Sequence, residues 1–454
     1  MLSGTERAKQ ELDCGVASLL LTALPVIASI FSSVFMQLVD RVMLAHFSST
    51  AMNAAGFASQ AVDVFLLPLL SFAGVSEVFV GQFNGARQFK NAALPVVQIS
   101  VFLLICWLAI VPFALHNADK MIAQDLFTDG YPYFVISVFM MPFQITFASI
   151  ASFFVGTRRP NSILYSVILS NLINFLLDFL LIFGITGVIE PLGTTGAALA
   201  SLISSVVSAV ILLGLFFSPS NANLYGSRNF SVSMRILKKN IALGAPYAVS
   251  ELIEMTVWVW ILHLLIRVSI DAVTIHNVCI AIWIFFCFVI DGLQKGVTAL
   301  SSNCIGANKE NLIKKLIGSM AKITIVCFVL SAIPLVIFSE QLLYYVFKIT
   351  NSDILPMFKT AIALLWCILS LSVFSTSGLA GILSSGGDTL FVTSVRLCTI
   401  ALCIAVPCFF ASRTGAMDAL TTWKLCCIQQ GIHAVCFYLR YKSGRWKKDI
   451  LSTG

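Results

Sequence analysis

The chain alternates long apolar stretches with short polar connections. About twelve stretches are long enough to cross a bilayer, for which a helix needs roughly 20 apolar residues. Their unbroken apolar runs predict helices rather than the alternating strands of a barrel. The predicted spans are 16–39, 52–80, 92–115, 132–155, 161–184, 193–217, 240–266, 273–300, 316–338, 354–384, 388–411 and 416–439. The pattern predicts an all-α polytopic membrane protein with twelve transmembrane helices.

The composition leads to the same class of protein. The chain is 58% hydrophobic and 11% charged, with a mean hydropathy of +0.94, far from the balance of a soluble globular domain. The polar start "MLSGTERAKQELDCG" has no small-residue cleavage site, so we expect the first helix to be retained. The 13 cysteines are scattered without CxxC pairs, which favours small buried apolar side chains over metal ligands or disulfides.

Basic residues are distributed unevenly over the connections, which predicts the topology. Most lie at the N-terminus, in the even-numbered connections or in the tail: Arg7, Lys9, Arg87, Lys90, Arg158, Arg159, Arg228, Arg235, Lys238, Lys239, Lys309, Lys314, Lys315, Arg440, Lys442, Arg445, Lys447 and Lys448. The opposite side has few: Lys120, Arg267, Lys348 and Arg413. Both termini are therefore predicted to be cytoplasmic. The net charge of +7 fits this topology and attraction to anionic lipid, and nothing indicates a nucleic-acid partner.

Short motifs recur in the two halves of the chain. "ALPV" (Ala23–Val26) recurs as "GAPY" (Gly244–Tyr247), "FNGAR" (Phe83–Arg87) as "CIGAN" (Cys304–Asn308), and "TTGAALA" (Thr194–Ala200) as "RTGAMDA" (Arg413–Ala419). Their shared spacing of about 221 residues indicates an internal duplication. We predict two pseudo-symmetric six-helix bundles: an N-terminal lobe (1–217), a cytoplasmic linker (218–239), and a C-terminal lobe with a short basic tail (240–454).

Six spans per copy make the two lobes parallel repeats. This is an architecture of secondary transporters, which bind substrate between the two bundles and alternate access by rocking them.

The fifth span carries a stripe of polar residues. Asn171, Asn174 and Asp178 follow the spacing i, i+3, i+7, which places them on one helical face. A charge at mid-bilayer costs about 2.5–3.5 kcal/mol on insertion scales, so this face must meet protein or water. The first span repeats the arrangement with Gln37 and Asp40.

Ser201 of the sixth span offers a further oxygen, and no Cys or His lies near this set. Two carboxylates with amide and hydroxyl oxygens are hard ligands that suit Na⁺. The same pair could instead hold a proton, because two carboxylates in one apolar site resist joint ionisation. A third interpretation is a polar network that only joins helices.

The seventh span places Glu251, Glu254 and Trp258 at the same spacing. An acid beside an aromatic ring suits a lipophilic organic cation through Coulomb attraction and cation–π contact. The face could equally be the polar part with which a helix enters the membrane. Asp291 and Lys295, four residues apart in the eighth span, are predicted to form an ion pair. Gln37 and Asn171 join Glu251, Glu254 and Trp258 as possible substrate or second-cation residues.

Several long motifs resemble the multidrug and toxic compound extrusion (MATE) family over nearly the whole chain. They are "QLVDRVMLAHF", "GQFNGA", "GTRRPN", "NLINFLLDFLLIFGITGVIEPLGTTGAALAS", "LGAPYAVSELIE" and "ILSSGGDT". The resemblance implies a twelve-helix transporter that exports drugs or metabolites in exchange for inward Na⁺ or H⁺, with no resident cofactor. It further implies cationic or amphipathic small-molecule substrates, a monomer, and a bacterial inner (plasma) membrane.

The resemblance also assigns roles to single residues. Asp40, Asn174 and Asp178 match the family's amino-lobe cation site, and Ser201 stands where the family more often has Thr. Glu254 matches the glutamate of a carboxy-lobe cation site. That second site also needs an acid in span ten, and "KTAIALLWCILSLSVFSTSGLAGIL" contains none. We therefore expect coupling in the amino lobe.

Three other functions are weighed against antiport. A lipid or lipid-linked glycan flippase of the wider superfamily would favour an Arg-lined cavity and commonly fourteen spans. A membrane-embedded enzyme is disfavoured, because the five His residues are isolated and no phosphate loop or nucleophile elbow occurs. An ion channel lacks a filter-like stretch. The protein is expected not to be an enzyme.

Overall fold

The computed structural model describes residues 12–185, 187–188, 190–347, 354–448 and 450–451, and these residues are almost wholly helical. Twelve long helices follow one another: α1 Val16–Phe47, α2 Ser49–Gly85, α3 Leu94–His116, α4 Phe127–Gly156, α5 Asn161–Phe183, α6 Gly193–Phe216, α7 Met234–Ile266, α8 Ile270–Gly306, α9 Asn311–Ala332, α10 Leu355–Ser385, α11 Thr389–Thr414 and α12 Thr421–Lys442. Eleven helices in the described part of the chain are long and apolar enough to cross a membrane. The twelfth, α12, is more polar. The predicted all-α membrane fold is confirmed.

The helices run past the predicted spans at several ends. The first span was predicted to end at residue 39, yet α1 continues to Phe47, and α7 begins at Met234 rather than at residue 240. The predictions counted apolar residues, whereas a helix satisfies its own backbone and can continue into the polar interface. Arg7, Lys9 and Lys348, which contributed to the predicted topology, lie outside the described residues.

Four long helices depart from regular α-geometry within or at the end of their spans. The second helix, α2, is interrupted at Val75. A π-helical turn at Ile333–Ile337 follows directly after α9. Further π-helical turns interrupt α10 at Val373–Ala380 and α11 at Ile400–Ala405. A π-turn shifts the register of the residues after it, so the simple 3.6-residue period does not carry through these helices.

The chain packs into two compact units. One contains Leu24–Ala248 and the other contains Leu12–Ala23 together with Val249–Gly454. Within the first, a short helix at Pro219–Tyr225 occupies part of the predicted linker, and the Arg159 guanidinium lies 4.7 Å from the Tyr225 ring centroid. The predicted lobe limits come from hydropathy and stay predictions.

The start of the described chain is fastened to the second unit. The Ser319 hydroxyl donates to the Cys14 carbonyl at 2.8 Å, and the Lys315 ammonium donates to the Asp13 carboxylate at 2.5 Å. The hydrogen bond from Lys315 lowers the pKa of Asp13 below its ordinary value. These contacts explain why Leu12–Ala23 belongs to the second unit.

Matching helix ends support the internal duplication. Helices α2 and α8 both end in a left-handed residue, Arg87 with φ 58° and Asn308 with φ 55°. In each, the next amide donates back to the carbonyl five residues earlier: Gln88 to Phe83 at 2.9 Å and Lys309 to Cys304 at 2.9 Å. Helices α4 and α10 end in the same way at Arg158 (φ 61°) and Gly387 (φ 82°). This is the Schellman arrangement, repeated at corresponding ends of the two halves.

The basic tail stabilises the second unit. The side chain of Asp388, after α10, is 1% exposed and accepts hydrogen bonds from Arg440 at 2.7 Å and Lys448 at 2.8 Å. Trp446, 1% exposed, packs on Gly386, whose carbonyl accepts from the Lys448 amide at 2.9 Å. Part of the tail's positive charge therefore neutralises a buried carboxylate.

Close contact between α5 and α6 depends on one glycine. A Cβ added at Gly196 of α6 would lie 2.5 Å from the carbonyl oxygen of Leu181 in α5. Small residues let membrane helices approach closely and gain dispersion energy. The contact fixes the position of α5, the helix that carries Asp178.

We predict that Gly196→Ala destabilises the protein by about 1–3 kcal/mol, because a backbone atom of α5 would have to move. Thermal unfolding of the purified protein in detergent measures this. Gly214→Ala, in the same helix, is the matched control, since no atom lies within 4 Å of its added Cβ. The control should leave stability unchanged or raise it by up to about 1 kcal/mol, because Ala favours the helix over Gly. Equal unfolding temperatures for the two variants would contradict the packing role of Gly196.

Candidate functional site

The polar stripe of α5 faces the protein. Asn174 is 5% exposed and Asp178 is fully buried, while Asn171 is half-buried. The apolar residues between them point outward, with exposures of 56%, 44%, 53% and 61% for Leu172, Phe175, Leu176 and Phe179. A helix in lipid turns its charged side chain away from the hydrocarbon, and α5 follows this rule.

Asp178 interacts with two predicted partners. The Asn174 side-chain amide donates to Asp178 Oδ2 at 2.7 Å. Asp40 of α1 lies within electrostatic range of the same carboxyl group. Two carboxyl groups can share a hydrogen bond only when one of them is protonated. In the described part of the chain, Oδ1 of both Asp40 and Asp178 is buried and has no hydrogen-bond partner.

Tyr133 of α4 is a member of this cluster that the sequence reasoning missed. It lies within electrostatic range of Asp40 and Asp178, and its hydroxyl accepts a hydrogen bond from Ser59 of α2 at 3.3 Å. Its ring packs with Leu44, Ile182 and other residues of a small apolar core. In the sequence, Tyr133 is visible only as a tyrosine at the start of a predicted span. Tyrosines are common at the membrane–water interface, so this position does not distinguish a site residue.

The remaining predicted residues of the first unit are not joined to this carboxyl pair. The Asn171 amide donates to the Ser32 hydroxyl of α1 at 2.8 Å, so it joins α5 to α1. Gln37 is exposed. Ser201 lies on α6 and makes no described hydrogen bond to Asp40, Asn174 or Asp178. Asn171 thus has the structural role that the sequence analysis left open.

In the second unit, Glu254 is part of an ion pair. Its Oε2 accepts from Arg396 of α11 at 2.8 Å, and its Oε1 accepts from the Ser250 hydroxyl at 3.0 Å. Glu251 is half-buried one turn earlier. Trp258, one turn further along α7, belongs to an aromatic cluster with His276 and Trp423, at ring-centroid distances of 6.1 and 6.5 Å.

Most of the chain matches a known protein family. The MatE family model matches residues 25–180 and 246–410, which are corresponding parts of the two halves. The chain belongs to the MatE family. Members of this family are transporters, and the chain is an integral multi-pass membrane protein.

Relatives of this MatE chain are distant. It is 23% identical over 239 residues to the uncharacterized transporter YisQ of Bacillus subtilis (strain 168), covering 50% of this chain and 51% of YisQ. It is 22% identical over 276 residues to the probable multidrug resistance protein YoeA of the same organism, covering 59% of each. The matches thus span little more than half the length of these curated relatives.

A solved structure has the same fold over its full length. It is a MOP superfamily transporter from Pyrococcus furiosus, described as having a binding pocket of reverse polarity that suggests a different function. The TM-score is 0.84 at 17% identity, covering 99% of this MatE chain and 100% of that one.

The structural role of Asn171 can be measured in a double-mutant cycle. We expect Asn171→Ala and Ser32→Ala to couple by about 0.6 kcal/mol, and by no more than about 1.7, as polar pairs between membrane helices do. Unfolding of both single variants and the double variant gives the value. Asn174→Ala paired with Ser32→Ala is the control and should show additive effects. Additive effects for Asn171→Ala and Ser32→Ala would show that this hydrogen bond does not contribute to stability.

Proposed function

We propose that this protein exports organic cations and other amphipathic drugs by antiport with Na⁺ or H⁺, and that Asp40 and Asp178 bind the coupling ion. The observation that carries the proposal is the buried carboxyl pair, with Asn174 on one side and Tyr133 nearby. Membership in the MatE family and the naming of YoeA as a probable multidrug resistance protein support the substrate class.

The chemistry of the pair explains how it can bind and release a cation. When both carboxyl groups are ionised, they repel each other in a site of low dielectric, and this repulsion favours the arrival of a positive charge. A proton on one group removes this repulsion and allows the two groups to share a hydrogen bond. A Na⁺ ion could instead be held by carboxylate and amide oxygens, including the two Oδ1 atoms that have no protein partner.

Antiport requires the driving ion and the drug to prefer different conformations. A few kcal/mol of differential binding suffices to shift the populations and hence to couple one flow to the other. Asp178 lies on α5 and Asp40 on α1, so neutralising the pair changes the force between two membrane helices. We propose that this change alters the affinity of the transporter for its organic cation.

The proposal also covers the side of the membrane on which the termini lie, the kind of membrane and the oligomeric state. The excess of basic residues in one set of connections supports cytoplasmic termini in a bacterial inner membrane. We propose a monomer as the working unit, because each chain carries both repeated halves of a transporter.

The central prediction is that Asp40→Asn and Asp178→Asn each reduce gradient-driven export to background. An amide cannot take up the proton and does not supply the charge that attracts Na⁺. The measurement uses proteoliposomes that contain a fluorescent organic cation, with a Na⁺ gradient and a pH gradient imposed separately. The gradient that drives movement identifies the coupling ion.

Asp63→Asn is the matched control for this experiment. Asp63 is a half-buried acid on α2 that lies within electrostatic range of Arg41. We expect the control to retain transport. Export that survives both Asp40→Asn and Asp178→Asn would refute coupling at this pair, and failure of every organic cation to move would favour a flippase.

Tyr133→Phe should weaken the site without abolishing it. With Na⁺ as the driving ion, we propose that the Tyr133 hydroxyl oxygen helps to hold the bound ion, so losing about 1 kcal/mol of this stabilisation should raise the apparent KM for Na⁺ about fivefold. The maximal rate at saturating ion should be retained. An unchanged KM would show that the Tyr133 hydroxyl does not act on the ion.

A further inference from the structure

The second unit contains a carboxylate, Glu254, that matches the family's carboxy-lobe cation site. The positive charge beside it is a side chain of the protein itself, Arg396. Glu254 of α7 and Arg396 of α11 are 2.8 Å apart, and their side chains are only 23% and 27% exposed. The other oxygen of Glu254 accepts from Ser250 at 3.0 Å. Both oxygens of this carboxylate therefore have protein partners.

A second acid lies near the same guanidinium. Asp291 of α8, an exposed residue, is within electrostatic range of Lys295 and, to a smaller extent, of Arg396. Arg396 is therefore close to acids from two different helices, α7 and α8. The described part of α10 contributes no acid, since its sequence from Leu355 to Ser385 contains none.

The backbone around Arg396 is held in place. The Thr399 hydroxyl donates to the Arg396 carbonyl at 3.0 Å and lies 2.7 Å from Nε2 of His433 in α12. The π-helical turn of α11 begins at the next residue, Ile400. These contacts hold this part of α11 against α12, which keeps the guanidinium opposite Glu254.

From this geometry we propose that Arg396 is a tethered cation, which permanently occupies a cation site of the second unit at Glu254, with Asp291 nearby. A planar guanidinium is always charged and binds carboxylates through directed hydrogen bonds, so it excludes a second cation from the same oxygens. Removing Arg396 leaves an uncompensated, half-buried acid, and a small organic cation of guanidinium type can then bind.

The first unit differs in this respect. Asp40 and Asp178 face an amide and a tyrosine, and no Lys or Arg of the described chain forms an ion pair with either. The consequence for transport rests on the proposed function: exchangeable cations would bind only at the first unit. The binding test below needs no gradient, so it can be read even if antiport fails.

The test measures binding of ethylguanidinium to the purified full-length protein in detergent. Arg396→Ala should bind ethylguanidinium at least about tenfold more tightly than the unmodified protein, as an uncompensated buried charge does on regaining a partner. Titration calorimetry and the shift of the unfolding temperature report the binding. Ethylurea, which is neutral and similar in shape, should have no effect.

Four further variants make the result specific. Arg396→Lys should not gain binding, because the lysine still supplies a tethered charge, and Arg396→Ala with Glu254→Gln should lose the gain. Lys359→Ala is the matched control, since it breaks an exposed pair with Glu340, with a distance of 3.0 Å and both side chains 48% exposed. Arg396→Ser replaces Arg396→Ala should the latter not fold.

Two results would overturn the proposal. One is equal binding of ethylguanidinium by the unmodified protein and the variants that lack Arg396. The other is a gain in binding that persists after Glu254→Gln, because the cation would then bind elsewhere.

Discussion

Burying two carboxyl groups side by side within a membrane bundle is the constraint on which the first unit depends. An isolated charge in this setting is costly, and two like charges are more so. The structure meets the constraint in part with Asn174, which donates to Asp178, and with Tyr133 nearby.

The two units neutralise their acids by different means. Asp178 has an amide and another acid as neighbours, whereas Glu254 has the guanidinium of Arg396. The duplicated architecture supplies equivalent helix ends in both halves, as the left-handed caps at Arg87 and Asn308 indicate. The helix ends thus match, while the groups that neutralise the acids differ between the two units.

Packing and chemistry are linked through helix position. Gly196 allows α6 to approach the backbone of α5, and Asn171 joins α5 to α1. Both contacts determine where Asp178 stands relative to Asp40. In the second unit the tail helps to fix α10 and α12, because Arg440 and Lys448 pair with the buried Asp388. Residues far from the site in sequence therefore control its geometry.

The sequence by itself determined the class of fold and much of the first site. Apolar runs identified the helices, because a bilayer demands a minimum length of apolar chain. The spacing of Asn171, Asn174 and Asp178 identified the buried face of α5, because helix periodicity and the cost of exposed charge act locally. The family motifs pointed to Asp40 as the partner.

Only the tertiary structure decided which polar residues meet. It placed Tyr133 near the carboxyl pair, hydrogen-bonded Asn171 to Ser32, and paired Glu254 with Arg396. Each of these contacts joins helices separated by long stretches of chain, and the periodicity of one helix carries no information about which neighbour faces it. The irregular turns at Val373–Ala380 and Ile400–Ala405 also shift the register that a sequence pattern assumes. Contacts between distant helices depend on packing in three dimensions, and therefore only the folded chain fixes them.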